Sequence, residues 1–228
     1  MGGVKPDPIA LAFASARERG IELFDASNRA AWLERRKQDV TASVAGALFG
    51  DGVHEYATRY SLWASKSGLI EQDAEESPAM RRGRLLEPVA LQLLREKHPT
   101  WTIVPCTTYF RDAKARIGAT PDAFAIDPER AGFGVIQIKS VQPSAFDKKW
   151  RDEEIEELVP PLWIAIQAMV EATLSGASWG VVAPLRVHYG IDIDAIEVPM
   201  KDQRAIWSRL VRETSEFWRL VESKITPD

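Results

Sequence analysis

The pattern of apolar residues changes near residue 100, from helical spacing to short runs that are typical of strands. Residues 1–100 are mainly helical, 101–200 hold the predicted sheet core, and 201–228 hold a C-terminal helix. The predicted strands are rich in β-branched and aromatic residues: 101–110, 116–119, 122–126, 133–140, 179–186 and 188–198. A further helix is expected at about 160–174. This order predicts one α/β domain over 1–228, with a mixed central sheet flanked by helices.

Helix start and stop signals divide the N-terminal part. Ser27 is a candidate N-cap, and residues 56–66 continue the helical spacing. A longer helical pattern begins at Ser77. Pro88 lies inside this pattern and, because proline lacks an N–H group, it predicts a helix start or a kink near Glu87.

The overall charge excludes a protein that coats nucleic acid through charge alone, because the formal net charge is −4. Clusters of arginine and lysine can still form a local basic groove. Cys106 is the only cysteine, so no internal disulfide can form, and no zinc or iron–sulfur spacing is present. No apolar run is long enough to span a membrane, and the first residues lack a signal-peptide pattern. We therefore expect a soluble, unexported protein.

A lysine and a polar acceptor share one face of the predicted strand Val135–Lys139. Side chains alternate between the faces of a strand, so Gln137 and Lys139 point the same way. A lysine inside an apolar strand is costly unless it faces an ion or a phosphate. Asp122 follows a Gly-Ala-Thr-Pro turn, and Glu87 on the upstream helix would add a carboxylate. Such oxygen ligands suit Mg²⁺; the alternative is a hairpin whose aspartate and lysine are merely solvated.

Five segments, taken in order, carry a more specific signal: Trp32 and Arg36 with Thr41–Ser43, then Met80–Pro88, Gly118–Asp122, Val135–Lys139 and Trp163–Gln167. Together they resemble the YqaJ-like viral recombinases, the lambda exonuclease family within the PD-(D/E)XK nuclease superfamily. Each motif is weak alone, but their order and spacing over about residues 28–185 are fairly specific. The resemblance implies the PD-(D/E)XK restriction-endonuclease-like core.

The resemblance also implies roles for individual residues. The metal would be Mg²⁺, with Mn²⁺ as a substitute, and its ligands would be Glu87, Asp122, Gln137 and the main-chain carbonyl of Ile138. Lys139 and Gln167 would complete the catalytic set. Arg36 and Ser43 would bind the terminal 5′ phosphate of DNA. A plainer alternative for Arg36 is an ion pair with Asp39 on the same helix face.

The activity implied by the resemblance is hydrolysis of DNA by an exonuclease, 5′ to 3′ on linear duplex ends, in phage-type recombination or end resection. The implied partners are linear double-stranded DNA, a single-strand annealing protein, and further copies of this chain in a homo-oligomer such as a trimer. The expected location is the cytoplasm of a bacterial or phage-infected host cell.

The sequence departs from the family pattern at the second strand carboxylate, where it has Gln137. An amide supplies an oxygen ligand without charge, so metal affinity should fall and catalysis should be slow or lost. Other PD-(D/E)XK nucleases tolerate glutamine at this position. Two alternatives therefore stay open, a catalytically weak or inactive module that binds DNA ends and a structure-specific endonuclease.

Overall fold

The computed structural model describes residues 6–70, 76–152 and 156–227. These residues form seven α-helices: α1 (Pro8–Glu18), α2 (Arg29–Lys37), α3 (Arg59–Lys66), α4 (Pro78–Lys97), α5 (Pro143–Lys149), α6 (Leu162–Ser175) and α7 (Gln203–Ser223). They also form two 3₁₀ helices, at Ala42–Leu48 and Met200–Asp202. Within these three ranges, no helix is long and apolar enough to cross a membrane.

Twelve strands occur in the described residues: β1 (Glu22–Asp25), β2 (Val40–Thr41), β3 (Thr102–Pro105), β4 (Thr108–Asp112), β5 (Ile117–Ala119), β6 (Ala123–Ile126), β7 (Gly134–Val141), β8 (Arg151–Asp152), β9 (Glu157–Leu158), β10 (Trp179–Val187), β11 (Ile191–Ile193) and β12 (Ile196–Glu197). The larger sheet has the order β11-β10-β7-β6-β3, with β12 also paired to β10. The smaller sheet has the order β1-β4-β5-β2, and β8 pairs with β9. Strands β7 and β10 are parallel, whereas β6 and β7 are antiparallel, so the larger sheet is mixed.

The two faces of the larger sheet pack against different helices, as an apolar sheet in water requires. On one face, Leu91 and Leu94 of α4 pack against Ile136 of β7. On the other face, α6 packs with Ile166 against Val135. Because side chains alternate along β7, the residues next to Ile136 face α6. The predicted fold class, a mixed sheet flanked by helices, is confirmed.

The start signals of two helices differ from the sequence-based predictions. Helix α4 is capped by Ser77, as its pattern predicts, but it continues through Pro88, so a helix start near Glu87 is wrong. Pro88 is exposed, where solvent can bind the carbonyl that loses its helical partner. The cap of α2 is Asn28, whose side chain accepts from the main chain of Ala31. Ser27 instead donates to Asp25, so the prediction of Ser27 as the cap is wrong.

Two segments predicted as single strands are divided. Residues 101–110 form β3 and β4, which belong to different sheets. The chain leaves the larger sheet at Cys106, whose N–H donates to the carbonyl of Asp122. Residues 188–198 form β11 and β12, and both pair with β10.

Several elements of the described residues were not predicted from the sequence. Strands β1 and β2 lie in the mainly helical N-terminal part and complete the smaller sheet by pairing with β4 and β5. Helix α5 is separated from the end of β7 by one residue and has Pro143 at its first position. Short strands of this kind are defined by their pairing partners rather than by their own periodicity.

Candidate active site

Strands β6 and β7 bring Asp122 beside the predicted metal-binding strand. Ala123 pairs with Ile136 in antiparallel register, which places Asp122, one residue before β6, next to the second half of β7. Oδ2 of Asp122 accepts a hydrogen bond from the main-chain N–H of Ile138 at 2.6 Å. The structure therefore joins two positions that are separated by a turn and a strand in the sequence.

Gln137 lies between two oxygen atoms that are potential metal ligands. Its Nε2 donates to Oδ2 of Asp122 at 2.5 Å and to the carbonyl oxygen of Ile138 at 3.1 Å. The two oxygens thus converge on one point, and a donor set of carboxylate, amide and carbonyl oxygen fits a hard divalent cation. Among residues 6–70, 76–152 and 156–227, no group of three or more His, Cys, Asp and Glu side chains is arranged to hold a metal. The candidate site depends on amide and main-chain oxygens instead.

Helix α6 adds two polar side chains to the face of β7 that carries Gln137. Nε2 of Gln167 donates to Oε1 of Gln137 and to Oε1 of Glu171, both at 2.8 Å. Oε1 of Gln167 accepts from Nζ of Lys139 at 2.8 Å. A continuous hydrogen-bonded chain therefore runs from Glu171 through the two glutamines to Asp122, and Lys139 joins it at Gln167.

The two predicted carboxylate ligands have raised pKa values. Burial, together with the negative charge of Asp122, raises the pKa of Glu87 to about 7. Burial raises the pKa of Asp122 to about 6, although Lys139 and the N–H of Ile138 oppose the shift. The charge of Asp122 thus acts on Glu87, which places the α4 carboxylate near the ends of β6 and β7. A cation would stabilise both ionised forms.

The Lys139 side chain is half-buried, and its ammonium group meets a polar partner, Gln167. Burial lowers its pKa, whereas Asp122 and Glu171 oppose that shift. Its ammonium group is 5.4 Å from the centre of the Trp163 ring, within the range of a cation–π contact. The lysine is therefore held by one amide oxygen and one aromatic ring, with its Nζ beside the candidate metal site.

Arg36 and Ser43, predicted to bind a terminal phosphate, lie together in the structure. Nη2 of Arg36 donates to Oγ of Ser43 at 3.2 Å and approaches Oγ1 of Thr41 at 3.5 Å. The guanidinium group also stacks at 4.2 Å over the ring of Trp32. Because both hydroxyls can turn toward an anion, this arrangement is suited to a phosphate.

The alternative ion pair between Arg36 and Asp39 is absent from the described residues. Asp39 is fully buried and accepts from Nε of Arg111 at 3.0 and 2.9 Å. It also accepts from the hydroxyl of Tyr109 at 3.0 Å. With Asp39 occupied in this way, the guanidinium group of Arg36 remains available to a ligand.

Lys66 adds a second cation beside Arg36 that the sequence analysis did not identify. Its Nζ donates to the main-chain carbonyl of Arg36 at 2.7 Å. Burial and the charge of Arg36 lower the pKa of Lys66 to about 8. The side chain lies on α3, a separate helix in the sequence, and no local motif links it to Arg36.

The phosphate-binding candidates and the metal-binding candidates are neighbours. Nε1 of Trp32, whose ring stacks against the guanidinium group of Arg36, donates to Oγ1 of Thr120 at 3.0 Å. Thr120 belongs to the turn that leads to Asp122. On the other side, a ring nitrogen of His54 lies 2.8 Å from the carbonyl of Ser43, and its ring lies 4.6 Å from that of Trp163. The two groups therefore form one continuous site.

Glu171 is the main residue of the site that the sequence analysis missed. A signal was present, because Glu171 follows Gln167 by four residues in an otherwise apolar helix, and this spacing places both on one helix face. Trp163, the aromatic residue beside Lys139, lies one turn before Gln167 on the same helix. It is half-buried, packs against the core and lies beside Lys139.

Comparisons with known proteins identify the family and the fold. The family model described as the YqaJ-like viral recombinase domain matches residues 31–178. No curated protein matches the sequence significantly.

Three solved structures share the fold at low sequence identity. An alkaline exonuclease from Laribacter hongkongensis has a TM-score of 0.63 at 20% identity, covering 86% of this chain and 93% of that one. A phage related exonuclease from Haemophilus somnus 129PT has a TM-score of 0.57 at 13% identity, covering 82% and 96%. The protein of a SOX–DNA complex has a TM-score of 0.55 at 11% identity, covering 97% and 74%. The fold is that of the PD-(D/E)XK-like alkaline exonucleases.

Proposed function

Because the chain belongs to the YqaJ-like viral recombinase domain family, we propose that it is a DNA exonuclease that depends on a divalent cation. The fold, shared with alkaline and phage-related exonucleases, supports this proposal. The observation that carries it is the convergence of Asp122 Oδ2 and Ile138 O on one point, beside Nζ of Lys139.

The proposed cation is Mg²⁺, with Mn²⁺ as a substitute. Asp122 and the carbonyl of Ile138 would hold it, together with Glu87 and the amide oxygen of Gln137 after rotation of its carboxamide. When bound, the cation would neutralise charge on the scissile phosphate and lower the pKa of water. Burial raises the pKa values of Asp122 and Glu87, and the charge of Asp122 adds to the shift of Glu87, so a bound cation would stabilise both ionised forms.

Lys139 would orient the attacking water and donate a hydrogen bond to the phosphate. Gln167 holds its ammonium group, and Trp163 covers one side of it. A lysine whose pKa is lowered by burial can also exchange a proton more readily than a solvated one. Gln167 would thus act through Lys139 and Gln137, which its amide group joins.

The proposed polarity is 5′ to 3′ from the ends of linear duplex DNA. Arg36 lies with the hydroxyls of Ser43 and Thr41, and Lys66 lies behind it. A terminal phosphate dianion carries more charge than an internal diester, so a cluster of two cations favours the end of a strand. The short connection through Trp32 and Thr120 would place the bound end beside the metal ligands.

The proposal extends to the biological setting. Linear double-stranded DNA would be the substrate, and the process would be phage-type recombination or end resection. A single-strand annealing protein and further copies of this chain, as in a trimer, would be the protein partners. Light scattering of the purified protein tests the trimer directly.

One experiment tests the proposed activity. A linear duplex labelled at its 5′ end is incubated with Mg²⁺, Mn²⁺ or EDTA, beside a closed circular duplex. We expect degradation of the linear form alone and only with a divalent cation. Cleavage of the circle would support an endonuclease, and unchanged linear DNA with either cation would overturn the exonuclease.

A second candidate function is a module that binds DNA ends without hydrolysis. The observation that favours it is the position of the amino group of Gln137, which occupies the point on which the ligand oxygens converge. Retention of 5′-phosphorylated duplex in a mobility-shift assay, with no cleavage in Mg²⁺ or Mn²⁺, would support this second function.

A further inference from the structure

Glu171 is a buried carboxylate inside an apolar helix. Its side chain is about 1% exposed, and its Oε1 accepts from Nε2 of Gln167 at 2.8 Å. Within the described residues, its Oε2 is buried and has no hydrogen-bond partner. Burying a carboxylate is unfavourable unless charges or hydrogen bonds compensate for it. An apolar residue at this position of α6 would avoid that cost, so we infer that the carboxylate of Glu171 has a function in the site.

The charges around Glu171 belong to the candidate active site. Burial and the negative charge of Asp122 beside β6 raise the pKa of Glu171 well above its usual range, whereas the amide of Gln167 and the charge of Lys139 on β7 oppose that shift. A cation bound nearby would favour the ionised carboxylate. The other polar group in contact with the carboxylate is the amide of Gln167 on its own helix. The charge of Glu171 also contributes to the raised pKa of Cys106, after β3, which is raised mainly by burial. Glu171 thus interacts electrostatically with Asp122 and with Lys139, the two charged residues that flank Gln137 in the site.

The hydrogen bonds of the Gln167 amide connect Glu171 to Gln137 and to Lys139. A carboxylate oxygen that accepts from Gln167 fixes the amino group of that amide toward α6. The same amino group donates to Oε1 of Gln137, and the amide oxygen is left to accept from Lys139. Glu171 and Lys139 therefore fix the two ends of the Gln167 amide together, and this links the carboxylate on α6 to the placement of Lys139.

We propose that Glu171 is a positioning residue that supplies, from α6, the negative charge that Gln137 lacks on β7. This inference rests on the proposed metal-dependent function. The negative charge of Glu171 attracts the cation from the far side of the Gln167 amide. Glu171 also helps to hold Lys139 in place, because the same amide contacts both residues. The chain thereby keeps a second acidic group beside Asp122 although the strand position carries a neutral side chain.

A charge-relocation experiment tests this role through metal affinity rather than activity. The full chain, treated with EDTA and dialysed, is titrated with Mn²⁺ by calorimetry. Glu171→Gln preserves the shape and the acceptor for Gln167 but removes the charge. We expect the dissociation constant for Mn²⁺ to rise about tenfold, because an uncharged group attracts a hard cation less in a site of low dielectric.

The double variant Gln137→Glu/Glu171→Gln returns the charge to β7. Its dissociation constant should lie within about threefold of the wild-type value, since the number of acidic groups is restored. Glu96→Gln, which removes an exposed carboxylate from α4, is the matched control and should leave Mn²⁺ binding unchanged. A purely structural role for Glu171 would not be rescued by a change at position 137.

Fold integrity is checked by thermal unfolding in EDTA. Glu171→Gln should unfold at or above the wild-type temperature, because glutamine keeps the acceptor for Gln167 and cannot ionise in this buried position. Glu171→Met is a second uncharged variant that suits an apolar helix, and it should weaken Mn²⁺ binding at least as much, because it also removes the acceptor for Gln167.

The outcomes separate the inference from the function on which it rests. Wild-type protein that binds no Mn²⁺ would overturn the proposed function and the role of Glu171 with it. Wild-type binding, with unchanged affinity in both uncharged variants or with no recovery in the double variant, would overturn the role of Glu171 alone. Weakened binding that Gln137→Glu restores would support it.

Discussion

The carboxamide nitrogen of Gln137 lies 2.5 Å from Oδ2 of Asp122 and donates a hydrogen bond to it. The same nitrogen is 3.1 Å from the carbonyl oxygen of Ile138, so a donor occupies the point where a cation would meet these oxygens. Cation binding must therefore break both hydrogen bonds. We expect the carboxamide to rotate when a cation binds, which would turn its oxygen toward Asp122 and would also break the hydrogen bond that it accepts from Gln167.

Replacing Gln137 with glutamate should lower the Mg²⁺ concentration for half-maximal cleavage by roughly tenfold, because it adds a charge and removes the competing donor. The measurement is the rate of linear duplex digestion across a Mg²⁺ titration. Gln142→Glu, an exposed change just after β7, is the control for added charge. A midpoint that stays the same or rises would mean that Gln137 is not a ligand.

Asp122→Ala and Lys139→Ala should each reduce cleavage by at least about 100-fold, because one removes a ligand and the other removes the cation that orients water. Circular dichroism and thermal unfolding report whether each variant folds. Asp147→Ala and Lys148→Ala, two exposed positions on α5, are matched controls. Normal turnover in either site variant would refute the site assignment.

Arg36→Ala should slow digestion of 5′-phosphorylated duplex by at least about tenfold yet change little on 5′-hydroxyl ends, because the guanidinium group would bind the terminal dianion. Both rates are measured at one salt concentration, since a general loss of DNA affinity depresses both alike. The control is Arg35→Ala on the same helix, whose guanidinium group stacks over Phe24 instead. Equal losses on both ends would remove the support for end recognition.

The raised pKa values of Asp122, about 6, and Glu87, about 7, predict a pH dependence of stability without metal. Between the unfolded-state pKa values near 4 and these folded-state values, the folded protein holds more protons than the unfolded chain. The free energy of unfolding in EDTA should therefore fall as pH rises through this window, by roughly 1 kcal/mol per group after solvent screening.

Urea unfolding in EDTA at about pH 5 and about pH 7.5 measures this loss of stability. Asp122→Asn removes one titrating group and should give a smaller loss between the two pH values. Saturating Mn²⁺ should reverse the trend, since it stabilises the ionised carboxylates. An equal loss in the wild type and in Asp122→Asn would show that Asp122 is not the titrating group.

The local periodicity of the sequence was sufficient for several features. Alternation along β7 placed Gln137 and Lys139 on one face, because the backbone of any strand imposes that period. The cap Ser77 and the long helix after it followed from helix signals that act within one turn. The fold class followed from the order of helical and strand segments.

The tertiary structure decided the features that depend on distant pairing. The division of residues 101–110 between two sheets follows from the pairing partners, β6 for β3 and both β1 and β5 for β4, which no local pattern specifies. The contact of Lys66 with Arg36 and the connection of Glu171 to β7 through Gln167 arise in the same way. Each requires two segments to meet across the core, and the sequence near either segment does not encode the register of that meeting. A sequence shows which side chains share a face of one element, whereas packing determines which faces meet.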